Sequence, residues 1–215
     1  MSQSPLPRCV VVIPAGGVGT RMQSAVPKQF LDIQGIPIII RTIQTAAAVP
    51  AVRHVVVATL PSHMTYLAEL LDTYALDHCT SIVEGGTDRR SSVARALEHR
   101  EVASADVVLV HDAVRPFASC GLFERVIEAA HSHGCAVPVL PVTDTIKVVD
   151  ATGAVVETLD RSTLRAAQTP QGFRTEILLR AHASYDSVNG TVTDDAMLCE
   201  RNAVDVMTVD GEVKN

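Results

Sequence analysis

Aromatic side chains make up only 3% of this sequence, and tryptophan is absent. Without aromatic platforms on which bases could stack, a single-stranded nucleic-acid binder is a poor reading. The formal net charge of −6 comes with no long basic run, so the electrostatic footprint of a nucleic-acid partner is missing too. No stretch approaches the roughly 18 uninterrupted apolar residues of a membrane span. The first ten residues carry one Arg and two Pro and lack the apolar centre of a signal peptide. Five scattered cysteines (Cys9, Cys79, Cys120, Cys135, Cys199) include no CxxC pair. They suggest neither a zinc site nor a disulfide framework, but the reduced thiols of a cytoplasmic protein.

What is present is aliphatic. Hydrophobic residues make up 47% of the 215 and charged residues 20%, enough for one α/β domain with a core of Val, Ile, Leu and Ala. Short β-branched runs at Val10–Ile13, His54–Ala58, Ser81–Val83, Asp106–Val110 and Ala136–Leu140 predict strands. Amphipathic segments at Ile38–Ala47, Ser62–Tyr74, Ser91–Arg100 and Leu122–His133 predict the helices between them. The order implies right-handed crossovers and a Rossmann-like, mostly parallel sheet with helices on both faces. Thr145–Val149 and Ala154–Leu159 around Asp150-Ala151-Thr152-Gly153 read instead as a β-hairpin. Such a hairpin does not fit a parallel sheet and is expected to project as an arm, about residues 141–166 of a single 1–215 domain. A lone two-stranded ribbon is barely stable in water, so packing on a second copy, a homodimer, is expected. Helices near Thr175–Tyr185 and Asp194–Arg201 and a strand near Asp205–Val209 close the chain.

Ligands of open parallel sheets bind beyond the carboxyl ends of the strands. After the first strand comes Pro14-Ala15-Gly16-Gly17-Val18-Gly19-Thr20-Arg21-Met22, then Pro27-Lys28-Gln29. The segment lacks the Lys-Ser/Thr of a Walker loop, and Met22 stands where a dinucleotide fingerprint needs its third glycine, which counts against an NAD-dependent oxidoreductase. Glycines that let backbone N–H groups approach an anion, flanked by Arg21 and Lys28, read as a triphosphate cradle. Glu84-Gly85-Gly86 through Ser91-Ser92 repeats the pattern, although a serine there equally serves as a helix cap. Asp112, just after a strand in His111-Asp112-Ala113-Val114-Arg115-Pro116, is placed either to hold Mg²⁺ or to cap a turn. His111 reads as a packed or hydrogen-bonded histidine rather than a general base. No motif supplies a covalent nucleophile, which suits nucleotidyl transfer, where the substrate's own phosphate oxygen attacks and the protein supplies alignment and positive charge.

Seven segments together resemble the 2-C-methyl-D-erythritol 4-phosphate cytidylyltransferase family: Ala15 to Met22, Pro27 to Leu31, Gly85 to Val93, His111 to Pro116, Asp144 to Lys147, Gln168 to Phe173 and Thr193 to Ala196. The resemblance covers essentially the whole chain. It implies transfer of CMP from CTP to 2-C-methyl-D-erythritol 4-phosphate with Mg²⁺, in the non-mevalonate isoprenoid pathway. It implies further that Pro14, Ala15, Gly16 and Gly17 wrap the CTP, and that Gly86 and Ser92 read the cytosine, with Arg89 and Ala113 also at the nucleotide. Arg21 and Lys28 would steady the reacting phosphorus, Asp112 the metal, and Arg115, Thr169 and Thr193 the sugar phosphate. Thr145 and Arg161 on the arm would complete the partner subunit's site. Family members also carry a lysine just beyond a position like that of Asn215, which Lys214 does not match. A trimmed chain, or one slowed on the order of a hundredfold by loss of about 3 kcal/mol, is expected. Ribitol 5-phosphate cytidylyltransferase shares most of these motifs and differs around Arg115, Thr145 and Thr193. A CTP-binding module without catalysis is the reading from another class.

Overall fold

The computed structural model describes residues 6–17, 26–185 and 192–215. In chain order the elements are β1 (Cys9–Pro14), β2 (Asp32–Ile33), β3 (Ile36–Pro37), α1 (Ile38–Ala47), β4 (Val52–Thr59), α2 (Pro61–Thr73), β5 (Thr80–Glu84), α3 (Arg89–Leu97), α4 (Arg100–Ala103), β6 (Val107–Val110), α5 (Cys120–His133) and β7 (Cys135–Pro141). There follow β8 (Lys147–Val149), β9 (Val155–Thr158), β10 (Arg165–Ala167), β11 (Gln171–Arg174), α6 (Thr175–Ala183), α7 (Asp195–Arg201) and β12 (Met207–Asp210). The Ser91–Arg100 helix expected from periodicity starts two residues earlier and is broken before α4, whose Glu101 N–H donates to the capping His99 ring.

Strands β5, β4, β1 and β6 are parallel neighbours in that order. Their β-branched residues alternate between two apolar layers. Val11, Ile13, Val55, Val57 and Leu109 pack with α1, α2 and α5; Val10, Val12, Val56, Val108 and Val110 pack with α3, α6 and α7. A sheet buried on both faces needs aliphatic residues at every position, which explains why these strands read as unbroken apolar runs. Among the described residues no helix is long and apolar enough to cross a membrane, and all five cysteines are unpaired.

One half of the sheet departs from the parallel plan. β11 runs antiparallel between β6 and β7. Beyond the cis Thr169–Pro170 bond, β10 continues along the same edge of β7, while β12 takes its other edge in parallel. Within the Gln168–Phe173 segment, Gln171 to Phe173 therefore belong to a sheet strand. The arm is as anticipated: β8 and β9 pair only with each other, about a turn whose Asp150 carboxylate accepts from Thr152 and Ala154, with Gly153 at φ 86°.

The fit of β11 beneath α5 depends on Gly172. A Cβ there would stand 2.7 Å from Val126 Cγ1 and 3.0 Å from the Ala130 methyl. Gly172→Ala is expected to destabilise the protein by about 1–3 kcal/mol, the range for overpacking a closed core, as a shift in urea midpoint with unchanged m.

Candidate active site

The carboxyl ends of β1, β4, β5 and β6 and the start of β11 open onto one edge of the sheet. A cavity of about 520 Å³ lies there, lined by Pro14–Gly17, Lys28, Gln29, Gly86–Arg89, Ser92 and Asp112–Val114. A second, of about 210 Å³, is lined by Arg89, Asp112, Arg115, Ala167–Thr169, Gln171, Thr193 and Asp194. Arg89 and Asp112 belong to both, so the two cavities adjoin across that pair.

The glycine loop is held from below. Ala15 N–H donates to Ala58 O at 2.7 Å, and the buried Gln29 amide donates to Ala15 O at 2.8 Å. Gln29 sits in a short 3₁₀ turn, Lys28–Phe30, which brings Lys28 to the cavity wall. The second glycine loop is closed by Ser92: its hydroxyl donates to Asp88 O at 2.8 Å and accepts from Gly86 N–H at 3.0 Å. Gly86 is required where it stands, since a Cβ would fall within 2.5 Å of the Ser91 side chain. The helix cap is Asp88, in a reciprocal box with Ser91, so Ser92 is free of capping and clasps the loop.

Asp112 is gripped on both oxygens, by Arg115 Nε at 3.1 Å and by Arg89 Nε at 3.4 Å. Arg89 turns its Nη1 to Asp195, at 2.6 Å, and Asp195 accepts from His182 Nε2 at 2.9 Å on its other oxygen. Burial works against the Arg89 charge, but Asp195 and Asp112 outweigh it and raise its proton affinity. Burial likewise opposes the Asp195 carboxylate; the His182 hydrogen bond and the Arg89 charge prevail and hold it below the usual range.

His111 is buried and engaged at both nitrogens. Nε2 faces the Arg115 carbonyl at 3.1 Å, which can only accept, so Nε2 carries the proton. Nδ1 then accepts from the Thr169 hydroxyl at 3.0 Å, whose oxygen accepts from Asp112 N–H at 3.0 Å. The histidine thus shapes the loop bearing Asp112 and Arg115, in keeping with its non-catalytic reading, and Thr169 is part of the same chain.

Of the residues expected from sequence, Pro14, Ala15, Gly16, Gly17, Lys28, Gly86, Arg89, Ser92, Asp112 and Ala113 line the larger cavity, and Arg89, Asp112, Arg115, Thr169 and Thr193 the smaller. Arg21 lies outside the described residues. Thr145 and Arg161 are exposed on the arm and line neither cavity; Arg161 donates to Thr143 O at 2.8 Å. Several supports were not identified from sequence. Gln168 clasps the last residues, donating to Glu212 O and Asn215 O and accepting from Glu212 N–H. Gln171 holds the start of α7 through Asp194 and Ala196 N–H. Buried glutamines leave no periodic trace, but His182 does: it lies on the apolar stripe of Leu178, Ala181 and Tyr185.

A nucleotide-sized, glycine-lined cavity beside a smaller one lined by Arg89, Arg115, Asp112 and Asp194 is the arrangement of a nucleotidyltransferase. The model of the 2-C-methyl-D-erythritol 4-phosphate cytidylyltransferases matches residues 9–215, and the chain belongs to that family. A relative of that name from Acidobacterium capsulatum is 41% identical, over 97% of this chain and 90% of its own length. One from Bacillus mycoides is 39% identical over 95% and 89%. Among solved structures, the Thermus thermophilus enzyme of the same name superimposes with a TM-score of 0.75 at 34% identity, covering 96% of this chain and 90% of its own. The 4-diphosphocytidyl-2C-methyl-D-erythritol synthase of Anaerococcus prevotii gives 0.83 at 27%, over 97% and 89%.

Burial pushes the His111 imidazole down to about 4, against the opposing pull of Asp112 and its hydrogen bonds. The unfolded chain protonates near pH 6.5, so between pH 6.5 and 4 it binds more protons than the folded one. Stability is therefore full above pH 6.5 and falls as pH drops, by about 3 kcal/mol from this group. His111→Gln is expected to flatten that loss, read from urea unfolding at pH 7 and pH 5.

Proposed function

We propose that this chain catalyses CMP transfer from CTP to 2-C-methyl-D-erythritol 4-phosphate, giving 4-diphosphocytidyl-2-C-methyl-D-erythritol and pyrophosphate, a step of non-mevalonate isoprenoid synthesis. The observation that carries it is the pair of adjoining cavities divided by Arg89 and Asp112. CTP fits the larger, its phosphates toward the glycine loop and Lys28, with Gly86 and Ser92 at the base. The sugar phosphate fits the smaller, among Arg115, Thr169 and Thr193. The α-phosphorus then lies at the shared wall. A 4-phosphate oxygen of the acceptor attacks it, the bond to the β-phosphate oxygen breaks, and pyrophosphate carries away the electron pair. Lys28, with Arg21, would face the negative charge growing on the α-phosphate oxygens.

Mg²⁺ belongs to the proposal. Asp112 is the carboxylate shared by both cavities, and no cluster of three or more His, Cys, Asp or Glu exists among the described residues. A single carboxylate suits an ion that takes most of its ligands from phosphates and water. Held by Asp112, Mg²⁺ would draw charge from the triphosphate. The same proposal makes the protein cytoplasmic, a setting that suits its unpaired thiols.

The same reading makes the protein a homodimer. Val148, Val149, Val155 and Val156 on the arm are 37–61% exposed, an apolar ribbon suited to a second copy. Thr145 and Arg161 would then reach the partner's site.

Pyrophosphate release with CTP, Mg²⁺ and methylerythritol phosphate, beside a ribitol 5-phosphate control, tests the activity. Release with the first acceptor is expected, with Lys28→Ala lowering kcat about 100-fold and changing CTP affinity far less. Release with ribitol phosphate alone would reassign the acceptor, and CTP binding without release would make the chain a binding module. For the shared site, Arg161→Ala and Lys28→Ala subunits, each weak alone, should regain one working site in a mixed dimer. No recovery on mixing would sink it.

A further inference from the structure

Behind the shared wall lies a buried chain of groups that the proposed chemistry does not use. Asp195 is 1% exposed and has two charged or polar partners, Arg89 on one oxygen and His182 on the other. The His182 side chain, 6% exposed, comes from α6 and reaches across to the first turn of α7. A carboxylate only accepts, so His182 Nε2 carries the proton of that bond. Its other nitrogen, Nδ1, is buried with no hydrogen-bond partner among the described residues. An unpartnered buried polar atom costs about 1–3 kcal/mol, so a leucine would fill this space at lower cost. What the histidine offers that leucine does not is the single N–H to Asp195.

That bond has a mechanical consequence at the site. Asp195 holds Arg89 by its Nη1, and the same guanidinium presents Nε to Asp112. With one oxygen of Asp195 fixed by His182, the other has one orientation, which sets the plane of the guanidinium. Arg115 fixes the far side of Asp112. The series His182–Asp195–Arg89–Asp112–Arg115 therefore runs from the core between α6 and α7 to the wall where the two substrates meet. Without the His182 bond, Asp195 could rotate about its Cβ–Cγ bond and release the guanidinium from its plane. A misplacement of this kind, on the order of 1 Å, reduces turnover by up to about 100-fold while leaving the rest of the nucleotide cradle in place.

We propose that His182 is a positioning residue which, by a hydrogen bond to Asp195, sets the orientation of the Arg89 guanidinium on the wall between the nucleotide and acceptor cavities. The inference rests on the cytidylyltransferase reading for its kinetic consequence, and on geometry alone for its structural one.

The test compares His182→Leu, which removes the donor at similar bulk, with His182→Gln, whose amide nitrogen can restore it. His182→Leu should lower kcat about tenfold or more with CTP KM within about threefold, and His182→Gln should recover most of the loss. Asp195→Asn should lose more, and adding His182→Leu to it should cost nothing further, because both break one chain. A readout independent of turnover is the Arg89 Nε–H signal in ¹⁵N NMR, assigned through Arg89→Lys. It should be sharp in the wild type and in His182→Gln and exchange-broadened in His182→Leu. Identical signals in all three, equal kinetics of the Leu and Gln variants, or additive losses in the double variant would overturn the proposal. A wild type that releases no pyrophosphate would instead overturn the activity, leaving the NMR comparison to decide the role of His182.

Discussion

The insertion of β11 between β6 and β7 is the constraint on which the functional half of the molecule depends. It pairs with a central strand on each side, Gly172 opposite both Leu109 and Ala136. Ladder bonds on both edges leave such a strand little freedom, and its flanking residues inherit that rigidity. At its start Thr169 meets the backbone of Asp112, Gln168 ties down Glu212 and Asn215, and Gln171 seats the first turn of α7. Three segments far apart in sequence are thus located by three residues of one strand and the loop before it. Sites built on regular elements hold their geometry better than sites built on loops, and catalysis by alignment needs that advantage.

The electrostatics follow the same economy. The net charge of the chain is −6, yet the wall between the cavities alternates cation and anion, Arg115, Asp112, Arg89, Asp195. Each buried charge is paired, which is what makes burial tolerable, since removing one partner of such a pair costs several kcal/mol. Arg89 is committed to two carboxylates, so its role is to fix the wall rather than to move with a phosphate. Lys28, by contrast, lines the nucleotide cavity without an ion pair among the described residues, which suits the role proposed for it, with Arg21, of answering negative charge that develops during reaction. One arginine orients, one lysine responds. That division is not visible from residue type alone.

The sequence was legible where periodicity and short-range chemistry decide structure. The parallel strands and α1, α2 and α5 fall within a few residues of their expected places because a doubly covered sheet admits only aliphatic runs and amphipathic helices. The glycine loops and Asp112 line the larger cavity as expected, because glycines and an acidic residue just beyond strand ends are where ligands of such sheets bind. What escaped were long-range partnerships. Strand β11 is four residues, Gln-Gly-Phe-Arg, with no alternation, and its place in the sheet is decided by β6 and β7. A serine at this position reads equally as cap or ligand contact from sequence, and the structure gives the cap to Asp88, which reaches the N3 amide. The Asp195–His182 bond spans thirteen positions and two helices, and only the burial of a histidine on an apolar helix stripe hints at it.

The arm raises a different question, why a hairpin with four exposed valines should exist at all. Its turn is well made, with Asp150 accepting two backbone amides and the Thr152 hydroxyl, but a turn and two short strands do not offset the entropy of ordering a ribbon. Among the described residues nothing covers those valines, an arrangement that suits burial against a second copy. The proposed second copy supplies that burial and gives Thr145 and Arg161 a use, since neither lines a cavity of its own chain. A hairpin stabilised only on docking would couple assembly to activity: each site would be complete only in the dimer. On that argument the apolar ribbon and the two polar residues at its base are one device, in which the first provides the affinity and the second the chemistry.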